Sequence, residues 1–220
     1  DVQKAYKALA KESKEQFEAL KKDGYVVELW DGANQPYENS TEMVEDLKDN
    51  KHLYVFSTEE GFGEKGITAK NRRENPMLAD SGYKDANGKK LLLNDLFRFV
   101  HDAFGHGKLG NSFGPVGEEN AWYVHSQMFS PEARRAMTSE TRGQNSWVNF
   151  GPQLRNKDGS LPKRGDKNYV PMSQREFAPQ KNFLFPEEYV FDRPNTQGRF
   201  EGREQKVKVD KSTIKKNVIA

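Results

Sequence analysis

Between Asn94 and Gly143, three helix-length stretches in succession each put an ionisable side chain among apolar ones, and a folded chain must give such groups a partner inside its core. In the first stretch Asn94 is placed to cap, Leu96, Phe97, Val100 and Phe104 form the buried side, and His101 falls on it. In the second, between Glu118 and Phe129, the apolar side is Ala121, Trp122, Met128 and Phe129; His125 lies among them, with Glu118 one turn further back. The third opens at Ser130-Pro131-Glu132, a cap, a first-turn proline and an acid that complements the helix dipole. Ala133, Ala136 and Met137 face inward there and Glu140 follows on the same stripe, while Arg134, Arg135, Ser139 and Arg142 point elsewhere, as a solvated face. A buried carboxylate needs a metal, a cation, a set of donors or a proton, so Glu140 is expected to find one of them.

His106 adds a fourth group, and its spacing sets a condition. Five residues along a regular helix turn the side chain by about 140°, so His101 and His106 share a face only if the helix is distorted between them. Gly105 can supply the distortion by ending or widening the helix. The chain has no cysteine, so a metal held here takes His, Asp or Glu ligands, which suit iron(II), manganese or zinc.

The remaining pattern predicts an α+β fold: a mainly helical core carrying this cluster, small peripheral strands and long loops. Residues 1 to 23 read as an amphipathic helix with Val2, Tyr6, Leu9, Phe17 and Leu20 near one face and Gly24 as its stop. Tyr25 to Trp30 and His52 to Ser57 read as strands, with a turn at Asp31 to Asn34 and a short helix near Thr41 to Asp49 capped by Asn39. Thr58 to Lys90 is expected to be a long irregular excursion with a turn at Asp85-Ala86-Asn87-Gly88; Gln153 to Lys167 reads as a polar loop, and Lys206 to Lys211 alternates like an edge strand. One domain over 1–191 with a basic extension over 192–220 accounts for the length, since eight Lys/Arg stand against four Asp/Glu in that last segment.

A formal charge of +2 argues against a general nucleic-acid binder, and the lack of a long apolar run or signal-peptide pattern argues against a membrane or secreted setting. A start at Asp1 rather than methionine fits a trimmed segment or one cut from a longer polypeptide.

The string Val100-His101-Asp102-Ala103-Phe104-Gly105-His106 resembles the iron-binding segment of the aromatic amino acid hydroxylases, whose His-Asp-x-Phe-Gly-His pattern supplies two iron-binding histidines. Those enzymes complete a two-histidine, one-carboxylate site from a Thr-x-Glu helix followed by glycine, and this chain has Thr138-Ser139-Glu140-Thr141-Arg142-Gly143. The resemblance implies His101, His106 and Glu140 as ligands of iron(II), Asp102 as a supporting group, and oxygen-dependent hydroxylation of a small molecule or a protein side chain. Glu118 and His125 stand as alternative third ligands or catalytic groups. Where the family continues with Pro-Leu-Leu, this chain has Gly107-Lys108-Leu109-Gly110, so the resemblance does not carry over a pterin cofactor. A second resemblance, from Gly117-Glu118-Glu119-Asn120-Ala121-Trp122 to Gln144-Asn145-Ser146-Trp147-Val148-Asn149-Phe150-Gly151, is to an uncharacterised bacteriophage domain often found inside large virion or injected proteins. It implies a parent polyprotein or virion proteins as partners, and a location in the infected host's cytoplasm or on the virion.

Two other readings compete. A His-Asp phosphohydrolase binds one or two metals through a shorter His-Asp-x-Gly-His motif, and His52 is its extra candidate ligand here. A non-catalytic virion module would use the metal only to stabilise its fold. Phe113, Trp122 and Trp147 are the aromatic residues placed to line a pocket, and Arg134, Arg135 and Arg142 the ones placed to hold a substrate carboxylate.

Overall fold

A computed structural model describes residues 1–32, 35–62, 66–178, 181–194 and 200–203, and the fold is α+β with a helical core. Helix α1 (Val2–Lys22) buries Tyr6, Leu9, Phe17 and Leu20 at three- and four-residue spacing, and the same stripe takes in Ser13 and Gln16. It stops before Gly24, whose φ of 88° is one that a side-chain-bearing residue rarely adopts.

Strand β1 (Val26–Trp30) runs parallel to β2 (His52–Phe56), in register from Val26 opposite His52 to Trp30 opposite Phe56. Parallel strands need a crossover, which α2 (Ser40–Glu45) and a widened turn over Asp46–Asn50 provide. Asn39 caps α2 by accepting from the Thr41 and Glu42 amides, while the Glu42 carboxylate reaches back to the amide of Glu38. Ala33 and Asn34, half of the expected turn after β1, lie outside the described residues.

The stretch expected to be irregular is largely ordered. It contains α3 (Ala69–Glu74), opened by a reciprocal Thr68–Asn71 capping box, and an antiparallel pair, β3 (Asp80–Lys84) with β4 (Lys90–Leu92). The anticipated Asp85–Gly88 turn joins that pair: Asp85 Oδ1 accepts from the Asn87 and Lys89 amides, and Oδ2 accepts from the Leu29 amide, tying the hairpin to β1. The high Gly, Asn and Asp content that suggested a loop is what builds these caps and turns.

Helix α4 (Leu93–His101) begins one residue earlier than expected, and Asn94 is not its cap. The Asp95 carboxylate does that work, accepting from the Leu92 amide and from both the amide and hydroxyl of Thr58, while Asn94 donates to Thr58 Oγ1. The chain then passes through a widened π turn (Asp102–Gly107) into α5 (Pro115–Ser126) and α6 (Pro131–Thr138). A second π turn (Ser139–Gly143) leads into α7 (Gln144–Phe150). After a loop that includes the expected polar stretch come α8 (Glu187–Phe191) and the antiparallel pair β5 (Asp192–Pro194) and β6 (Phe200–Arg203). Lys206 to Lys211 and most of the basic segment lie outside the described residues.

Two apolar clusters share α1. One gathers Phe17 and Leu20 with the β1–β2 strands, Leu96, Phe99, Val100 and Phe104; the other gathers Tyr6 and Leu9 with Phe97, Trp122, Phe129, Ala133, Ala136 and Met137. Phe97 of one cluster and Phe104 of the other lie against the imidazoles of His101 and His125, so the histidines occupy the seam between them. Among the described residues no helix is long and apolar enough to cross a membrane.

Candidate metal centre

His101 closes α4 and His106 lies five residues on, within the π turn. In a π turn the backbone bond runs from i to i+5, so residues five apart come round to the same side. The rings stand 5.2 Å apart at 86°. Gly105 makes this closeness sterically open, because a Cβ there would meet the His101 ring and the Ala121 carbonyl oxygen, each at 3.1 Å. Gly107 is equally constrained, since a Cβ on it would lie 2.3 Å from a Leu47 methyl.

The third member is Glu118, on the first turn of α5. One ligand atom from each of His101, His106 and Glu118 lies within 4.8 Å of the other two, and among the described residues these three are the group so placed. His106 Nε2 and Glu118 Oε2 are 3.4 Å apart. Adjacent ligands bound at about 2.1 Å to one metal sit about 3.0 to 3.5 Å from each other, so the His106–Glu118 pair is spaced as two ligands of one ion would be.

Hydrogen bonds decide which nitrogen each histidine presents. His106 Nδ1–H donates to the Asn111 carbonyl at 3.0 Å, leaving the Nε2 lone pair toward Glu118. Asn111 holds the turn further, its amide nitrogen donating to His106 O and its side-chain nitrogen to Gly105 O. For His101 the sequence of bonds is longer. Gln16 Nε2 donates to the Met128 carbonyl at 3.5 Å, which turns Gln16 Oε1 toward His125 to accept from Nε2–H at 2.7 Å. His125 Nδ1 is then an acceptor, His101 Nδ1–H donates to it at 3.1 Å, and the His101 lone pair is on Nε2. Both histidines of the group are thereby set in the same tautomer.

Burial pushes His101 well below the usual imidazole range, helped by the charges of His106 and His125, and it pushes His125 down to about 3. His106 is also penalised by burial, yet its bond to Glu118 and the charges of Glu118 and Asp102 outweigh that and raise it. His101 and His106 are 8% and 2% exposed, whereas the Glu118 side chain is 30% exposed, so the group meets solvent on the Glu118 flank. Phe113 stands beside His106 there, rings 5.2 Å apart. Asp102 begins the π turn but is not in the ligand group; burial raises its carboxyl to about 6, Glu118 adds to the shift, and His106 and Arg98 oppose it.

Glu140 is placed elsewhere. It sits on the second π turn, and its Oε1 accepts from Tyr6 Oη at 2.6 Å. Tyr6 precedes Gln16 by ten residues on α1, an axial offset of about 15 Å, so the helix carries the partners of Glu140 and of His125 at separate levels. His125, the other alternative third ligand, spends both ring nitrogens on Gln16 and His101. His52 is not a member of the group; it is bonded through Nδ1 to Asp46 at 2.7 Å.

Trp122 is core, its indole donating to Thr138 Oγ1. The expected solvated arginine face is in part buried: Arg134 and Arg142 are 3% and 8% exposed, both lie over Trp122, and they bond the carbonyls of Val190 and Tyr189. Arg142 also pairs with Glu119 at 2.6 Å, so these cations fasten the segment around α8 to α6. Sequence reasoning missed Gln16 and Asn111. Gln16 was detectable by the criterion that singled out His101, a polar residue on an apolar stripe; Asn111 acts mainly through its backbone and carries no such signal.

No protein-family model matches the chain, and comparisons with curated proteins and with solved structures returned no match.

Proposed function

We propose that this chain is a metal-dependent enzyme of the mononuclear nonhaem iron(II) type, hydroxylase-like, with His101, His106 and Glu118 as its metal ligands. One observation carries the reading: the three ligand atoms converge within 4.8 Å, and hydrogen bonds through Nδ1 leave both histidines with the lone pair on Nε2. Two histidines and one carboxylate on one side of an ion are the donor set of nonhaem iron(II) oxygenases and leave coordination positions for small ligands. Iron(II) bound here would supply oxygen activation.

The residues do the rest. Gln16, His125 and Asn111 fix the imidazoles, Phe97 and Phe104 keep water from their inner side, and the half-exposed Glu118 flank admits a small substrate or a protein side chain. Asp102, with its carboxyl raised to about 6, can hold or release a proton beside the centre near neutral pH.

The test is metal analysis of protein purified without chelator, followed by oxygen uptake with iron(II) and a reductant. About one iron per chain, lost in His101→Ala and His106→Ala, with oxygen consumption above that of free iron, is the expected result. Full metal retention in both variants would end the metal reading. Phosphoester hydrolysis with manganese and without oxygen would reassign the class, and bound metal with neither activity would leave a structural ion.

A further inference from the structure

Away from the metal group, a groove of about 460 Å³ lies between the second π turn with α7 and the segment containing Ala178, Lys181, Phe183 and Phe185. That volume suits a small organic molecule. Trp147, Phe183 and Phe185 supply aromatic wall, the two phenylalanines packed edge to face at 4.8 Å. Gly143 lets the wall close on the turn, because a Cβ there would stand 2.9 Å from the Phe185 ring.

Glu140 is the acid in the lining. Tyr6 occupies one of its oxygens, and among the described residues no cation forms an ion pair with it. Arg98 acts on it only through longer-range charge, and its own guanidinium is committed to the Phe56 carbonyl at 2.7 Å. Lys181 lies on the same groove, exposed, and makes no ion pair with Glu140. A half-buried carboxylate with one oxygen tied and the other without a hydrogen-bond partner lacks a compensating positive charge. Aromatic faces beside it attract the same sign of charge.

We propose that this groove is a binding site for a small organic cation, an alkylammonium, with its charged head at Glu140 and its apolar part against Trp147, Phe183 and Phe185. Tyr6 acts as the positioning residue that holds the carboxylate toward the ligand. The site is independent of the metal centre, since the two use no residue in common.

The test is calorimetric titration of the whole protein with n-butylammonium, with butyrate and butanol as the anionic and neutral analogues. Saturable binding of the cation alone is expected, weakened about tenfold or more by Glu140→Gln, which keeps an acceptor for Tyr6. Phe183→Leu, at a half-exposed position, should weaken it less while retaining the carboxylate, and covers the case in which Glu140→Gln fails to fold. His106→Ala should bind the cation as wild type does, so failure of the metal reading leaves this result untouched. Equal affinity for cation and alcohol, preference for butyrate through Lys181, or no saturable binding to folded wild type would each overturn the proposal.

Discussion

In the helical core, α4 and α6 each run into the same device, a π turn, with opposite consequences. At Asp102–Gly107 the widened turn brings His106 back over His101, and α5 adds Glu118 to make a three-donor group. At Ser139–Gly143 the widened turn takes Glu140 off the line of Ala133, Ala136 and Met137 and gives it to Tyr6 and an aromatic groove. The backbone change is similar in both places. What differs is the neighbour: a second helix bearing donors faces the first turn, while a tyrosine and a loop face the second. A π turn therefore redirects a side chain by about one residue's rotation, and packing decides whether it arrives at a three-donor group or at an aromatic groove.

The contrast breaks most sharply if the wrong carboxylate is the ligand. Glu118→Gln should reduce bound metal to well below one per chain, and Glu140→Gln should leave it unchanged, both by elemental analysis of chelator-free protein. The opposite pattern would make Glu140 the ligand and require a rearranged second turn. A smaller effect is expected from Gln16→Leu, which removes the acceptor that fixes His125 and, through it, His101. Losing such an outer partner typically weakens metal binding about 10- to 100-fold, measurable by competition with a chromophoric chelator. Unchanged affinity would show that the Gln16–His125–His101 bonds do not govern the tautomer.

The glycines sharpen the comparison in the stability of the metal-free protein. Gly105→Ala should cost about 1–3 kcal/mol in denaturant unfolding, because its new methyl meets a packed imidazole and a backbone carbonyl. Gly143→Ala should cost less than Gly105→Ala, since its new methyl meets only side-chain carbons of Phe185 and Phe183 at the partly exposed groove wall, which can give way, and no backbone atom.

Acid separates the two regions by sign. His125 is held near 3, below the unfolded value of 6.5, so the unfolded chain takes the proton first. Its contribution to stability is complete above pH 6.5 and is lost as pH falls toward about 3, at about 1.4 kcal/mol per pH unit. Glu140 is raised above 4.5 by burial, against the bond from Tyr6 and the charge of Arg98. The fold shifts it toward the neutral form relative to the unfolded chain, so its contribution is complete below pH 4.5 and is lost as pH rises through the folded value. His125→Gln should accordingly flatten the acid limb of a stability-against-pH curve, and Glu140→Gln should steepen it.

Much of this was legible in the sequence, for identifiable reasons. Helix α1, the β1 and β2 strands, the cap at Ser130 and the buried positions of His101 and His125 follow from periodicity and local hydrogen-bonding chemistry, which act over a few residues. The need for a distortion near Gly105 also follows from the spacing of two histidines. The order within Thr58 to Lys90 was missed because Gly, Asn and Asp serve loops and tight turns alike. The arginines of α6 and its following turn read as solvated in the sequence because their cover, the chain near Val190, lies about fifty residues away.

Periodicity alone places ionisable groups on the inner faces of successive helices, and an apolar core requires them to be satisfied. Which of these groups meet depends on how the helices pack. Helical periodicity specifies the direction of a side chain about its own axis; the height at which two helices cross, and the extra residue in each π turn, belong to packing. Those two quantities put Glu118 beside the histidines and Glu140 beside Tyr6.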